Sequence, residues 1–207
     1  MSRLANAGRR AFDISFALIA LVVTLPVMVA IVIAIRFTSP GAAIYRQRRV
    51  GFRGHPFQCL KFRTMVPDAD AILEELLAND ARLREEYEQK HKLTNDPRIT
   101  WIGAVLRKTS LDELPQFWNV LKGEMSVVGP RPIVHAEQER YGPYLPLVLS
   151  VRPGLTGLWQ VSGRNDTTYE ERVALDRQYV LTRNLGRDLM IILRTVRAMV
   201  TSRNGAY

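Results

Sequence analysis

A chain of 207 residues with a formal charge of +9 is long enough for one ordinary domain and a small appendage. Its basicity calls for an anionic partner: nucleic acid, acidic lipid headgroups or phosphorylated small molecules. Apolar and charged fractions of 47% and 24% match an average globular protein. The single cysteine, Cys59, excludes an intrachain disulfide.

From Ile14 to Ile35 no residue is charged. Twenty-two residues rising 1.5 Å each give a helix of roughly 33 Å, enough to span a bilayer core. The stretch is too long for the apolar region of a signal peptide, and no small-x-small cleavage site follows it before Arg36. Pro26 sits mid-run, where it removes a backbone hydrogen bond and crowds the preceding turn, so the helix should bend there. The flanks are basic on both sides, with Arg3, Arg9 and Arg10 before and Arg36, Arg46, Arg48 and Arg49 after. Positive charge pulls both ends towards the cytoplasm. A helix that enters one leaflet, breaks near Pro26 and returns satisfies both facts. So does a kinked span of undecided orientation, because neighbouring groups can satisfy the carbonyl that Pro frees.

Phe37 to Pro67 holds no Asp or Glu, six basic residues, and glycines and prolines that punctuate it into short strands and turns. Fixed cations among glycines suit contact with phosphate. From Asp68 to Lys92 the apolar residues Ile72, Leu73, Leu76, Leu77, Leu83 and Tyr87 recur at helical spacing among carboxylates, an amphipathic helix or helix pair with a solvated acidic face. Further on, Thr168 and Glu171 form a capping box opening a helix through about Asn184. Leu189, Ile192, Leu193, Val196, Met199 and Val200 then line one face of a basic helix. It fits a membrane surface or a packed core equally.

The densest chemistry is Arg107 to Pro132. Leu114, Phe117, Trp118 and Leu121 fall at i, i+3, i+4 and i+7, a short amphipathic helix. Pro115 is tolerated only near a helix start, which places that start at about Leu111 or Asp112. Asp112 and Glu113 are then adjacent carboxylates at a helix N-terminus, where free N–H groups favour negative charge and can hold phosphate. Capping by Asp112, or a Ser110–Glu113 capping box, is the structural alternative. Arg107 and Lys108 before them and Arg131 between two prolines after them tilt the reading towards phosphoryl transfer, whose catalysis is mostly positioning and charge neutralisation. Lys61, Arg63, Arg107, Arg131, Arg152 and Arg164 are candidate phosphate clamps, though each alone could be a structural ion pair. Trp159 and Gln160 are candidates for a nucleotide or sugar pocket, beside the commoner outcome of a core Trp. His55, His91 and His135 show no ligand spacing, so no zinc site is expected.

Along its whole length the chain resembles the bacterial sugar transferase family, the monotopic phosphoglycosyl transferases. The likeness runs through Arg10-Ala11-Phe12-Asp13, Gln47-x-Arg49-x-Gly51 and Lys61-Phe62-Arg63-Thr64-Met65. It continues in Thr109 to Gln116, Gly123-Glu124-Met125-Ser126, Gly129-Pro130-Arg131-Pro132, Arg152 to Gln160 and Ser162-Gly163-Arg164-Asn165. The resemblance implies an α+β, mainly helical fold. Residues 1–40 would form a re-entrant membrane helix hairpin and residues 41–207 a cytosolic catalytic domain with interfacial amphipathic helices, at the bacterial inner (cytoplasmic) membrane and facing the cytoplasm. It implies Mg²⁺, a UDP-sugar donor and undecaprenyl phosphate as acceptor, with Asp112 as nucleophile and Glu113 as metal ligand or acceptor positioner. Asp112 and Glu113 are the metal candidates, and an aspartyl-phosphosugar intermediate with UMP release is the expected route. Membrane lipid is an expected partner, nucleic acid is not, and a homodimer is allowed. Where smaller members carry Ser-Pro at the helix break this chain has Leu25-Pro26, and the Thr24 hydroxyl is expected to bond a nearby carbonyl in compensation. Larger members add a multispan N-terminal domain not seen here. The Gly154–Asn165 region and the Asn204–Tyr207 ending look like those of members that transfer glucose or galactose 1-phosphate in exopolysaccharide synthesis. A non-catalytic membrane scaffold of a polysaccharide assembly complex is the rival reading, and it leaves the Asp112–Glu113 pair without purpose.

Overall fold

A computed structural model of the chain describes residues 3–90, 93–163 and 167–201. It is mainly helical, with two small two-stranded sheets. Helix α1 (Arg3–Thr38) runs as one element with Pro26 inside it. Asp13, Ala17, Ile31 and Ile35 are buried and Phe16, Ala20, Thr24 and Met28 half-buried, a stripe at spacings of three and four that faces the body of the protein. The remaining faces are apolar as well: Leu18, Ile19, Val22, Val23, Leu25, Val27, Val29, Ile33 and Phe37 are exposed. A helix apolar all round yet largely uncovered is built for lipid contact, which makes this a membrane-associated chain. Thr24 Oγ1 donates to Ala20 O at 2.7 Å, the compensation expected one turn before the proline.

Both ends of α1 are fastened to the same body. Near its start Arg9 makes a buried ion pair with Asp188, and Arg10 donates to Val120 O and Leu121 O at 2.6 and 2.7 Å. Asp13 accepts from the Val127 amide at 2.9 Å and from the Ser126 hydroxyl. At its far end Ile31 and Ile35 pack on Phe62 and Leu106, and Arg63 donates to Ser39 O and Pro40 O at 2.8 and 2.7 Å.

Strands β1 (Ile44–Val50) and β2 (Pro56–Phe62) form an antiparallel hairpin in the register Tyr45↔Lys61, Gln47↔Cys59 and Arg49↔Phe57, so those six side chains share one face. Helices α2 (Ala69–Asn79) and α3 (Ala81–Lys90) are the expected acidic pair, with no buried residue on α2. Helix α4 (Trp101–Thr109) begins at Thr100, whose side chain accepts from the Gly103 amide. Helix α5 (Gln116–Lys122) ends at Gly123, in the left-handed region at φ 82°. Strands β3 (Ser126–Val128) and β4 (Gly154–Thr156) pair in parallel. A Cβ on Gly154 would lie 2.0 Å from Gly129 N, so only glycine allows this approach.

Short helices α6 (Gln138–Tyr141) and α7 (Leu145–Leu149) precede β4, and α8 (Tyr169–Thr182) and α9 (Leu185–Thr201) complete the fold. The Thr168–Glu171 capping box is formed in both directions. On α9, Ile191 is buried while Leu185, Leu189, Met190, Leu193 and Val196 are exposed. The sequence elements at Arg164, Asn165, His91 and Asn204–Tyr207 lie outside the described residues.

Candidate active site

The chain leaves α4 through Ser110, which takes the left-handed conformation at φ 57° and caps nothing with its side chain. Leu111–Glu113 then form one 3₁₀ turn, and Pro115 is the residue before α5. The helix therefore starts at Gln116, later than the expected Leu111 or Asp112, and the Ser110–Glu113 capping box is not formed. Pro115 has no N–H to donate and its φ of −61° suits a helix entry, while the reversal at Ser110 ends α4 and prevents one continuous helix. Trp118, expected on the apolar face with Leu114, Phe117 and Leu121, is 53% exposed.

This turn sets the two carboxylates in different surroundings. Asp112 is 3% exposed, and its Oδ1 is buried without a hydrogen-bond partner. Glu113 is more open and accepts from Lys61 Nζ at 2.7 Å, with the same ammonium 3.9 Å from Asp112 Oδ2. Burial pushes the Asp112 carboxyl up to about 6 and the Glu113 charge adds to the rise, against the opposing pull of Lys61 and Arg107. Arg107, in the last turn of α4, donates from Nε to Thr64 Oγ1 at 2.9 Å. Gly103 makes that possible: a Cβ there would meet Thr64 O at 1.9 Å.

Leu111 and Leu114, which bracket the pair, pack into the same apolar cluster as Ile31 and Ile35 of α1. The turn that carries the carboxylates is thus seated through its flanking leucines on the apolar cluster at the far end of the lipid-facing helix. A buried carboxylate held beside a second one, an ammonium and a guanidinium can attack phosphorus or hold a cation against a phosphate.

The other sequence candidates divide. Lys61 and Arg107 stand at the pair. Arg63 is engaged with the carbonyls that follow α1, and Arg152 donates to Gly123 O at 2.7 Å, closing the C-terminus of α5 together with Arg10. Arg131 is stacked on Trp159, its guanidinium carbon 5.3 Å from the ring centre. Trp159 itself is buried.

The sequence reading missed several residues. Fully buried Asn119 donates to Gln58 O at 2.7 Å and accepts from the Leu60 amide at 3.0 Å, tying α5 to the edge of β2 and so fixing Lys61 against the pair. Asp96 and Arg98 form a pair at 2.6 Å in the segment that leads into α4. A polar residue in an apolar helix face was the available signal for Asn119. Nothing local marks the others.

Comparison with known proteins gives the chain its family. The bacterial sugar transferase family model matches residues 4–202. The exopolysaccharide production protein ExoY of Rhizobium meliloti (strain 1021) is 48% identical over 204 residues, covering 99% of this chain and 90% of that protein. The undecaprenyl-phosphate galactose phosphotransferase of Salmonella typhimurium (strain LT2) is 49% identical over 199 residues, covering 96% of this chain but 41% of the relative. The UDP-glucose:undecaprenyl-phosphate glucose-1-phosphate transferase of Escherichia coli (strain K12) is 39% identical over 196 residues, covering 91% and 39%. The chain belongs to the bacterial sugar transferase family and is an enzyme of the transferase class.

Proposed function

We propose that the protein transfers a sugar 1-phosphate, glucose or galactose, from a UDP-sugar to undecaprenyl phosphate at the cytoplasmic face of the inner membrane. The observation that carries this reading is the placement of buried Asp112, with its unpartnered Oδ1, in a turn whose flanking Leu111 and Leu114 pack into the apolar cluster at the far end of the lipid-facing helix. A lipid phosphate and a water-soluble nucleotide can both reach such a place. The names of the relatives supply the substrate classes.

In this reading Asp112 Oδ1 attacks the β-phosphorus of the donor, the bond from that phosphorus to the bridging oxygen breaks, and UMP departs with the electron pair. An oxygen of the acceptor phosphate then attacks the same phosphorus, and Asp112 leaves as a carboxylate. Two displacements avoid bringing both polyanions together in one transition state. Lys61 and Arg107 offset the charge that collects around the phosphorus. Asp112 and Glu113 also fit Mg²⁺, which takes oxygen ligands and commonly only one or two protein carboxylates beside phosphate and water. Among the described residues no larger acidic or histidine cluster offers another place. When bound, the ion supplies neutralisation of the diphosphate charge.

The attachment of both ends of α1 to one body supports a re-entrant helix. A span would carry residues near Asp13 and Ile35 to opposite surfaces, yet Ser126 and Phe62, their respective neighbours, belong to the same small domain. The exposed apolar face of α9 supports a helix lying at the interface.

A panel of UDP-sugars, with undecaprenyl phosphate and Mg²⁺, tests the reading by UMP release and by label appearing in lipid. UDP-glucose or UDP-galactose should transfer label to lipid. Failure of every donor in the panel to transfer label would leave the scaffold reading standing.

A further inference from the structure

From Leu111 to Lys122 the backbone follows one right-handed path. Leu114 and Pro115, between the 3₁₀ turn and α5, are both helical in φ and ψ. The amides of Phe117 and Trp118 donate to Leu114 O and Pro115 O at 3.2 and 3.0 Å. Asp112, Gln116 and Asn119 therefore fall at i, i+4 and i+7, on one face of that path. They are 3%, 3% and 0% exposed, a buried polar stripe beside the apolar packing of Phe117 and Val120.

The stripe is satisfied at one end only. Asn119 donates to Gln58 O and Glu124 Oε2 at 2.7 and 2.6 Å and accepts from the Leu60 amide at 3.0 Å. Gln116 carries the same carboxamide, yet among the described residues it has no hydrogen-bond partner. Asp112 Oδ1 has none either. Lys61 serves the other side of the pair, 2.7 Å from Glu113 and 3.9 Å from Asp112 Oδ2. A buried amide without partners is a net cost to the fold, and Met would fill a similar volume without that cost. Two orphaned groups on one stripe mark a place for a polar group from outside the chain.

A phosphoryl group suits that place. Residues four apart on a helix have Cβ atoms about 5–6 Å from one another, and Gln is one methylene longer than Asp. With phosphorus bonded to Asp112 Oδ1, its non-bridging oxygens come within reach of the Gln116 amide. Those oxygens only accept, so Nε2 is the atom that serves them. In the free enzyme the amide is bonded to neither carboxylate. It leaves the charge of the nucleophile undiminished and acts only as the phosphoryl group arrives, where a contact raises kcat rather than merely tightening binding.

We propose that Gln116 is a further catalytic residue of this site, its Nε2 donating to a non-bridging oxygen of the phosphoryl group held on Asp112. The proposal rests on the transferase reading for the identity of the sugar and the nucleotide, but its test needs neither. Beryllofluoride with Mg²⁺ is the probe, because it takes the place of a phosphoryl group on a carboxylate oxygen. Its binding to the detergent-solubilised full chain is followed by fluorine NMR in the wild type, Asp112→Asn, Gln116→Met and Gln116→Glu, each first checked for cooperative thermal unfolding. Label transfer from UDP-sugar to undecaprenyl phosphate is measured on the same preparations.

The wild type should form the adduct and Asp112→Asn should not. Both Gln116 variants should form it about tenfold more weakly, the scale of one lost charge-assisted contact. Their kcat should fall about 10²-fold, with the donor KM within about threefold of wild type. Gln116→Met should melt no lower than the wild type, since it removes an unpaired amide and keeps the volume. A merely structural Gln116 would instead give a lower melting temperature in Gln116→Met and leave the adduct and kcat of the folded protein as in the wild type. Gln116→Glu, equal in shape and without a donor as the carboxylate, keeps the test open should Gln116→Met not fold. Wild-type adduct affinity in the folded Gln116 variants overturns the contact. So does a wild type that forms no adduct, or an adduct that survives Asp112→Asn. An adduct weakened by the Gln116 changes, in a protein that transfers no sugar phosphate, keeps the contact and removes the transferase reading.

Discussion

Burial raises the Asp112 carboxyl to about 6, so the group that must be charged to attack phosphorus is half protonated near that pH. With rising pH, kcat/KM should climb about tenfold per pH unit up to roughly pH 6 and then level, since kcat/KM reports the free enzyme. A profile already flat at pH 5 would contradict the assignment. The same shift has a stability side. The folded-state pKa lies above the unfolded one, so the folded protein holds this proton more tightly, and that stabilisation is lost as pH rises from about 4 through 6. Above pH 6 the buried charge costs ~3 kcal/mol. Asp112→Asn should therefore lose at least ~10³-fold in turnover yet melt several degrees higher at pH 8, with a smaller gain at pH 5. Equal melting temperatures at both values would show that Asp112 is not held in a desolvated site. The metal assignment has its own check. UMP release should stop in excess EDTA and return with added Mg²⁺, because the diphosphate charge is otherwise incompletely offset. Release that continues in EDTA removes the requirement.

At the scale of elements, the active turn depends on how closely α4 approaches the exit of β2. Gly103 permits it, since a Cβ there would meet the O, C and Cα of Thr64 at 1.9, 2.7 and 2.8 Å. These are backbone atoms and cannot swing aside. Gly103→Ala should cost about 1–3 kcal/mol, as overpacking usually does, and should also weaken catalysis by moving Arg107 away from Thr64. Thermal unfolding and donor kinetics on one preparation read both effects, and wild-type values in both would show that α4 shifts freely. The elements also differ in how plainly their residues announced them. The acidic pair α2–α3 and the capped α8 follow from helical spacing and a local box, which neighbouring residues alone specify. The late start of α5 was not legible, because it turns on Ser110 adopting φ 57°, a conformation that the sequence pattern does not mark. Helix α4 went unread because it is short and glycine-containing, though Thr100 as its cap was there to be seen. Asp112, Glu113, Lys61 and Arg107 were visible as residue types, and the register that joins Lys61 to Glu113 across 52 positions was not.

At the scale of the whole molecule, composition gave a lipid-facing helix and a basic body but left two topologies open, since 22 uncharged residues suffice for either. Long-range packing bears on the choice. Asp13 is bonded to β3 and Ile35 is packed on Leu106 of α4, contacts across more than a hundred and about seventy residues that no local pattern encodes. If these attachments hold in the membrane, both flanks of α1 lie on the cytoplasmic side. Single cysteines at Ser2 and at exposed Ala42, in a Cys59→Ser background that removes the one native thiol, should both resist a membrane-impermeant maleimide in intact cells and both react after permeabilisation. Pro26→Ala restores a backbone donor and relieves the ring clash, which favours a straight helix long enough to cross. In that variant the Ser2 tag should become at least partly reactive from outside, and activity should fall because the Asp112 turn loses its seat on Ile31 and Ile35. A Ser2 tag that reacts from outside in the parent, with the Ala42 tag protected, would mean that α1 crosses the bilayer and that its two attachments cannot coexist there.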